Sequence, residues 1–109
     1  MRPLRRLVVE GDSMRPTLVP GDRVVAVAWP RRPPAGALVA LRDPRRPERV
    51  MVKRLAGSGP GGAVVVGDAP GASTDSRHFG EVPWHLVLGR VVYRYAPAGR
   101  AGRLGGPGP

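Results

Sequence analysis

At 109 residues the chain has room for one small domain around a single modest core. It has no cysteine, which excludes disulfides and thiolate metal sites, and its 30 Gly and Pro residues exclude long helices. The net charge of +10 is spread as arginine along the whole length, and the five aromatics are not interleaved with it, so no nucleic-acid partner is expected.

Valine carries much of the hydrophobic content, which favours strands. Leu4 to Val9 reads as a first strand leading into a turn at Ser13. Asp12 or Ser13 could cap one helical turn there, with Pro16 inside its first turn. Arg23 to Trp29 follows the Pro20-Gly21 turn as a second strand. Trp29 to Gly36 is a loop that proline keeps out of any ladder. Ala37 to Arg42 and Arg49 to Leu55 pair as a hairpin joined through residues 43–47. Gly57 to Gly62 is a turn, Ala63 to Gly67 a short buried strand, and Asp68 to Pro83 a loop. Leu86 to Tyr95 closes the series. The expectation is a mainly β fold of short antiparallel strands with minimal helix. Residues 1–95 form the single domain, and residues 96–109, rich in Gly, Pro and Arg, form a flexible tail.

No run approaches the ~20 apolar residues of a membrane-spanning helix. The basic start, Met1 to Arg6, is followed only by Leu7-Val8-Val9, too short for the apolar region of a signal peptide. The chain therefore reads as soluble and cytoplasmic, with peripheral contact to anionic lipid left open by its arginines.

Among eighteen basic residues only Lys53 is a lysine. It sits in the apolar run Val50-Met51-Val52-Lys53-Arg54-Leu55. Arg stays protonated, whereas a desolvated Lys can lose its proton and act as a base. On a strand, Arg54 points to the opposite face. Forty residues upstream, Gly11-Asp12-Ser13-Met14-Arg15-Pro16-Thr17-Leu18 presents a serine on a polar turn. Ser13 and Lys53 thus read as a nucleophile and its base; a surface lysine that happens to be the only one is the plainer alternative.

Four segments, in order and at similar spacing, resemble the conserved boxes of the signal peptidase I family. They are the serine box at residues 11–18, Gly21-Asp22-Arg23-Val24-Val25, the lysine box Val52-Lys53-Arg54-Leu55, and Gly67-Asp68 with residues 73–83. The resemblance implies the β-rich catalytic core shared with LexA-like peptidases and a serine endopeptidase with a Ser/Lys dyad, needing no cofactor and no metal. It implies that Ser13 attacks the scissile carbonyl and that Lys53 takes its proton and returns it to the leaving amine. Ser73 matches the serine that orients the lysine. Asp75 and Arg77 match a salt bridge bracing the last loop, which Gly67 and Asp68 open.

Some family members carry a serine two residues before the nucleophile as an oxyanion donor. Here that position is Gly11, so stabilisation would rest on backbone N–H groups of the turn around Gly11, Asp12 and Ser13. Met14 is expected to pack under the substrate groove and Pro16 to fix the turn. A Ser-His-Asp triad using His78 or His85 with Asp75 or Asp68 is the weaker catalytic alternative.

Within the family, the chain is most similar to the small branch that matures nickel-type superoxide dismutase. That similarity implies a precursor protein with an N-terminal extension as substrate. An ordinary signal peptidase and a conjugative-transfer peptidase stay open. A LexA-type repressor would need a scissile bond upstream, and only twelve residues precede Ser13. In another class stands a non-catalytic basic binding module on a degenerate protease fold.

Overall fold

The computed structural model describes residues 3–28 and 31–104. Seven strands follow in order: β1 (Leu4–Val8), β2 (Arg23–Val27), β3 (Leu38–Asp43), β4 (Arg46–Gly59), β5 (Gly62–Val66), β6 (Val87–Ala96) and β7 (Gly102–Arg103). They form one antiparallel sheet in the order β1-β2-β6-β3-β4-β5, with β7 added beside β6. The fold is the mainly β class that the valine-rich runs predict.

β3 explains how one sheet makes two cores. Its residues Leu38 and Ala40 join a cluster with Val9, Met14, Leu18, Val24, Ala26 and Val91. Val39 and Leu41 join a second cluster with Leu55, Ala63, Val65 and Val82. Side chains alternate faces along a strand, so a strand buried on both sides must be apolar at successive positions, as Leu38-Val39-Ala40-Leu41 is.

β4 is longer than its apolar run suggests. The expected connection over 43–47 tightens, because Asp43 already pairs with Arg46 while Arg42 pairs with Val50. Pro47, Glu48 and Arg49 are left without partners on β3, a bulge that accommodates Pro47. At the other end β4 continues to Gly59, and the expected turn over 57–62 shrinks to Pro60 and Gly61. A register shift between Leu55 and Gly57 leaves Ala56 without a partner on β5.

The Ser13 segment is a series of bends and turns rather than a helix. Single N–H bonds run from Arg15 to the Asp12 carbonyl and from Leu18 to the Met14 carbonyl, and they do not propagate. The one α-helix among the described residues, α1 (Ser76–Phe79), lies inside the expected 68–83 loop. Asp75 caps it by accepting from the Arg77 N–H, and the Asp75 N–H donates to His78 Nδ1. A four-residue helix buries too little to show as an apolar period; only the capping residue Asp75 and the terminating Gly80 mark it.

Residues 96–104, expected as the start of a flexible tail, carry a 3-10 turn at Ala98–Arg100 and strand β7. Arg100 donates to Asp22 at 3.1 Å, and Leu104 packs against the first core cluster. Composition hides this anchoring, since one arginine and one leucine provide it. Residues 105–109 of that tail, and Trp29 and Pro30 of the loop after β2, lie outside the described residues.

Candidate active site

Three segments converge on one site: the turn after β1, the middle of β4, and the loop after β5. They enclose a cleft of about 320 Å³ whose walls include Ser13, Met14, Lys53, Ala72 and Thr74. Ser13 and Lys53, forty residues apart in sequence, line this same cleft. Ser13 is partly exposed, while Lys53 is 4% exposed.

β4 positions Lys53 by pairing it with Val39 of the central strand. Its Nζ donates to the Ser73 hydroxyl at 3.1 Å. Ser73 donates in turn to Asp75 Oδ2 at 2.7 Å. Asp75 is fully buried and accepts further from the Gly67 N–H at 2.8 Å and from both Nε and an Nη of Arg77 at 2.9 and 2.7 Å. The Arg77 fork holds the Asp75 carboxyl far below the ordinary carboxylate range; burial opposes it, and the Ser73 and Gly67 donors reinforce it.

Asp75 is therefore an ionised acceptor, and the single Ser73 proton is committed to it. Ser73 can then only accept from Lys53. A neutral amine that donates one proton to Ser73 keeps its lone pair free. Burial pushes the Lys53 pKa down, the Asp75 charge opposes this, and the nearby Arg49 and Arg77 charges push it down further. The net direction favours the free amine.

The loop after β5 also fastens the Ser13 turn. The Ala69 N–H donates to the Ser13 carbonyl at 2.8 Å. Thr17 Oγ1 donates to Asp68 Oδ2 at 2.6 Å. Arg54 donates to both oxygens of the same carboxylate at 2.9 and 2.7 Å, and to the Gly36 carbonyl at 2.8 Å. The Arg54 fork holds the Asp68 pKa down against burial, with Thr17 assisting. Arg54 thus turns away from Lys53, as strand alternation requires. Asp68 ties the serine-bearing turn to the lysine-bearing strand.

Gly67 sits where these parts meet. A Cβ there would overlap the Ser73 hydroxyl and stand 2.7 Å from the Ser13 carbonyl oxygen. Gly11 serves differently: its φ is 72° and nothing crowds it, so it supplies a left-handed turn rather than room. Asp12 is exposed and paired with Arg15 three residues on. Met14 is buried in the first core cluster while reaching the cleft wall, and Pro16 is exposed on the turn.

Neither histidine lines the cleft. His78 accepts a backbone N–H at the start of α1, and His85 is exposed on a 3-10 turn at Trp84–Leu86. The Asp75 carboxylate is occupied by Ser73, Gly67 and Arg77, so the geometry does not assemble a Ser-His-Asp arrangement.

Thr17 and Arg54 are the site residues that sequence reasoning missed. A signal for Arg54 existed in the alternation of β4, which puts it opposite Lys53, beside whatever carboxylate follows β5. Thr17 had none, because its partner lies 51 residues away.

Residues 2–65 match the family of signal peptidases, peptidase S26. The chain belongs to the signal peptidase family. Among its relatives is the mitochondrial ATP-independent inner membrane protease subunit 1b of Arabidopsis thaliana, 35% identical over 87% of this chain and 72% of that protein. Subunit 1a from the same plant is 35% identical over 88% of the chain and 73% of its own length. The mitochondrial inner membrane protease subunit 2 of Schizosaccharomyces pombe is 33% identical over 88% and 67%. The segment matched to the signal peptidase family contains both Ser13 and Lys53, and the Ser73–Asp75 relay falls after it. Among the described residues no helix is long and apolar enough to cross a membrane.

Proposed function

We propose that this chain is a serine endopeptidase that removes an N-terminal extension from a precursor protein. The observation that carries the reading is the buried Lys53 amine, held by Ser73 and lining the same cleft as Ser13. Ser13 Oγ attacks the scissile carbonyl and its proton passes to Lys53 Nζ. The oxyanion forms beside the Ser13 N–H, which has no hydrogen-bond partner among the described residues. Lys53 then protonates the leaving amine, and the new N-terminus departs. Water, deprotonated by Lys53, releases the acyl group from Ser13.

The cleft also suits an extended peptide. Residues 8–10 at the end of β1 and residues 49–53 of β4 both line it. Among the described residues β1 pairs only with β2, and β4 before Arg54 only with β3, so both walls offer unpaired backbone groups. A substrate strand between them would gain ladder hydrogen bonds on either side.

For the substrate we favour the nickel-type superoxide dismutase precursor, on the strength of the Gly-Asp-Ser-Met-Arg-Pro-Thr-Leu sequence around Ser13. The family match and the names of the relatives, proteases of a membrane, support a second reading, a general signal peptidase acting on its own precursor proteins. Purified protein incubated with each precursor, with mass loss at the N-terminus followed by mass spectrometry, separates the two. Cleavage by the wild type that vanishes in both Ser13→Ala and Lys53→Ala is the expected result. Undiminished cleavage by Lys53→Ala would overturn the dyad, and a salt-sensitive gel shift with nucleic acid in place of proteolysis would favour a binding module.

A further inference from the structure

Two charged side chains line the cleft without bonding to the Ser13–Lys53–Ser73 group, Glu10 on the β1 wall and Arg49 on the β4 wall. The other charges there are engaged. Asp12 pairs with Arg15, Arg45 forks onto Asp43 and Lys53 is bound to Ser73. Arg49 is exposed and makes no ion pair or side-chain hydrogen bond among the described residues.

Its position is imposed by the backbone. Arg49 lies in the β4 bulge, where the chain leaves the β3 ladder between Val50 and Arg46. A bulge re-aims the side chain it carries, and this one delivers a guanidinium to the cleft rim. Arg49 lies four residues from Lys53, on the order of 13 Å of extended strand. A peptide bound along β4 with its scissile carbonyl at Ser13 would therefore bring its third to fifth residue from the bond beside Arg49.

We infer that Arg49 is a specificity residue that holds a carboxylate side chain of the bound peptide, three to five residues from the scissile bond. The inference rests on the endopeptidase reading for its register. Guanidinium is suited to the role because its planar fork matches a carboxylate in two hydrogen bonds. Glu10 on the facing wall would repel a carboxylate placed on its own side, which sharpens the choice.

The test is a set of fluorogenic peptides built on a cleavable precursor sequence, each with Asp, Ala or Lys at one position up to five residues either side of the bond. The wild type should prefer Asp over Lys by about fivefold or more in kcat/KM at one such position. Arg49→Glu should invert that ratio. Taking the ratio within one variant cancels any change in Lys53. Binding of the same peptides to Ser13→Ala, read by anisotropy, supplies a measurement independent of turnover. Charge-blind cleavage by the wild type, or an Asp:Lys ratio unmoved in Arg49→Glu, would overturn the inference. Charge-selective binding without cleavage would leave Arg49 its role and refute the peptidase reading alone.

Discussion

Ser73 gives its only proton to Asp75, 2.7 Å away, and so faces Lys53 as an acceptor. This direction matters more than the distance. Were Asp75 protonated, Ser73 could donate to the amine and occupy the lone pair that a base needs. The Arg77 fork and the Gly67 N–H keep Asp75 ionised, so they set the chemistry of Lys53 through an intervening hydroxyl.

Replacing Ser73 by Ala should cost on the order of 10²-fold in kcat/KM, because the lysine loses the bond that fixes its amine in the cleft it shares with Ser13. The loss should fall on kcat rather than KM, since Ser73 is buried behind the lysine. Steady-state kinetics on a precursor peptide check this. A loss confined to KM would show instead that Ser73 shapes the substrate groove.

Gly67→Ala tests the junction of the three segments. The added methyl meets the Ser73 hydroxyl on one side and a backbone carbonyl, that of Ser13, on the other. The hydroxyl can rotate away, but the Ser73 Cβ beside it cannot, and the carbonyl is held by the Ala69 N–H. Overpacking of this kind costs about 1–3 kcal/mol. The variant should unfold at lower urea and lose activity by more than its folded fraction explains. Full activity at reduced stability would separate Gly67 from the site.

The strands, and the two cleft residues Ser13 and Lys53, were legible in the sequence because their signals are local. Valine runs mark β2 and β5, the continuous apolar run Leu38-Val39-Ala40-Leu41 marks β3, and the lysine stands out against seventeen arginines. The connections made through Asp68 and Asp22 were not legible. Asp68 joining Thr17 to Arg54, and Asp22 joining Arg94 to Arg100, are bonds between residues 14 to 78 positions apart. Nothing in a single sequence says which carboxylate meets which arginine. The bulge at Arg49 was hidden for a related reason: Pro47 ruled out a regular ladder but not the continuation of the strand past it.

Acid should loosen the fold in a predictable window. The pKa values of Asp22, Asp43, Asp68 and Asp75 are all lowered. Burial opposes the change at Asp22, where the Val19 N–H, Arg100 and Arg94 prevail. A carboxylate with a depressed folded pKa stabilises above its unfolded value of about 3.9 and loses that contribution as pH falls towards the folded one. Urea midpoints should hold steady near neutrality and fall below about pH 4. Asp75→Asn should flatten that fall and, by weakening the buried acceptor of Gly67 and Ser73, cost about 1–3 kcal/mol at pH 7. An unchanged acid slope in this variant would mean that Asp75 is not the titrating group.

At Lys53 the slope with pH has the same sign, but here the charged form costs stability instead of supplying it. Its ordinary pKa of 10.5 is lowered in the fold, mainly by burial. Between the folded and unfolded values the unfolded chain binds more protons, so stability rises with pH across that interval and is lower below it. Removing the amine should therefore stabilise the protein at pH 7 while abolishing activity. Lys53→Met keeps the length and apolar stem of the side chain. It leaves Ser73 still donating to Asp75, so no buried donor is orphaned. A gain of about 1–2 kcal/mol is expected at pH 7, shrinking towards pH 10. Urea unfolding of wild type and Lys53→Met at several pH values gives the comparison. A variant that is less stable than the wild type at pH 7, or equally displaced at every pH, would show that Lys53 remains charged in the fold and is not poised as a base.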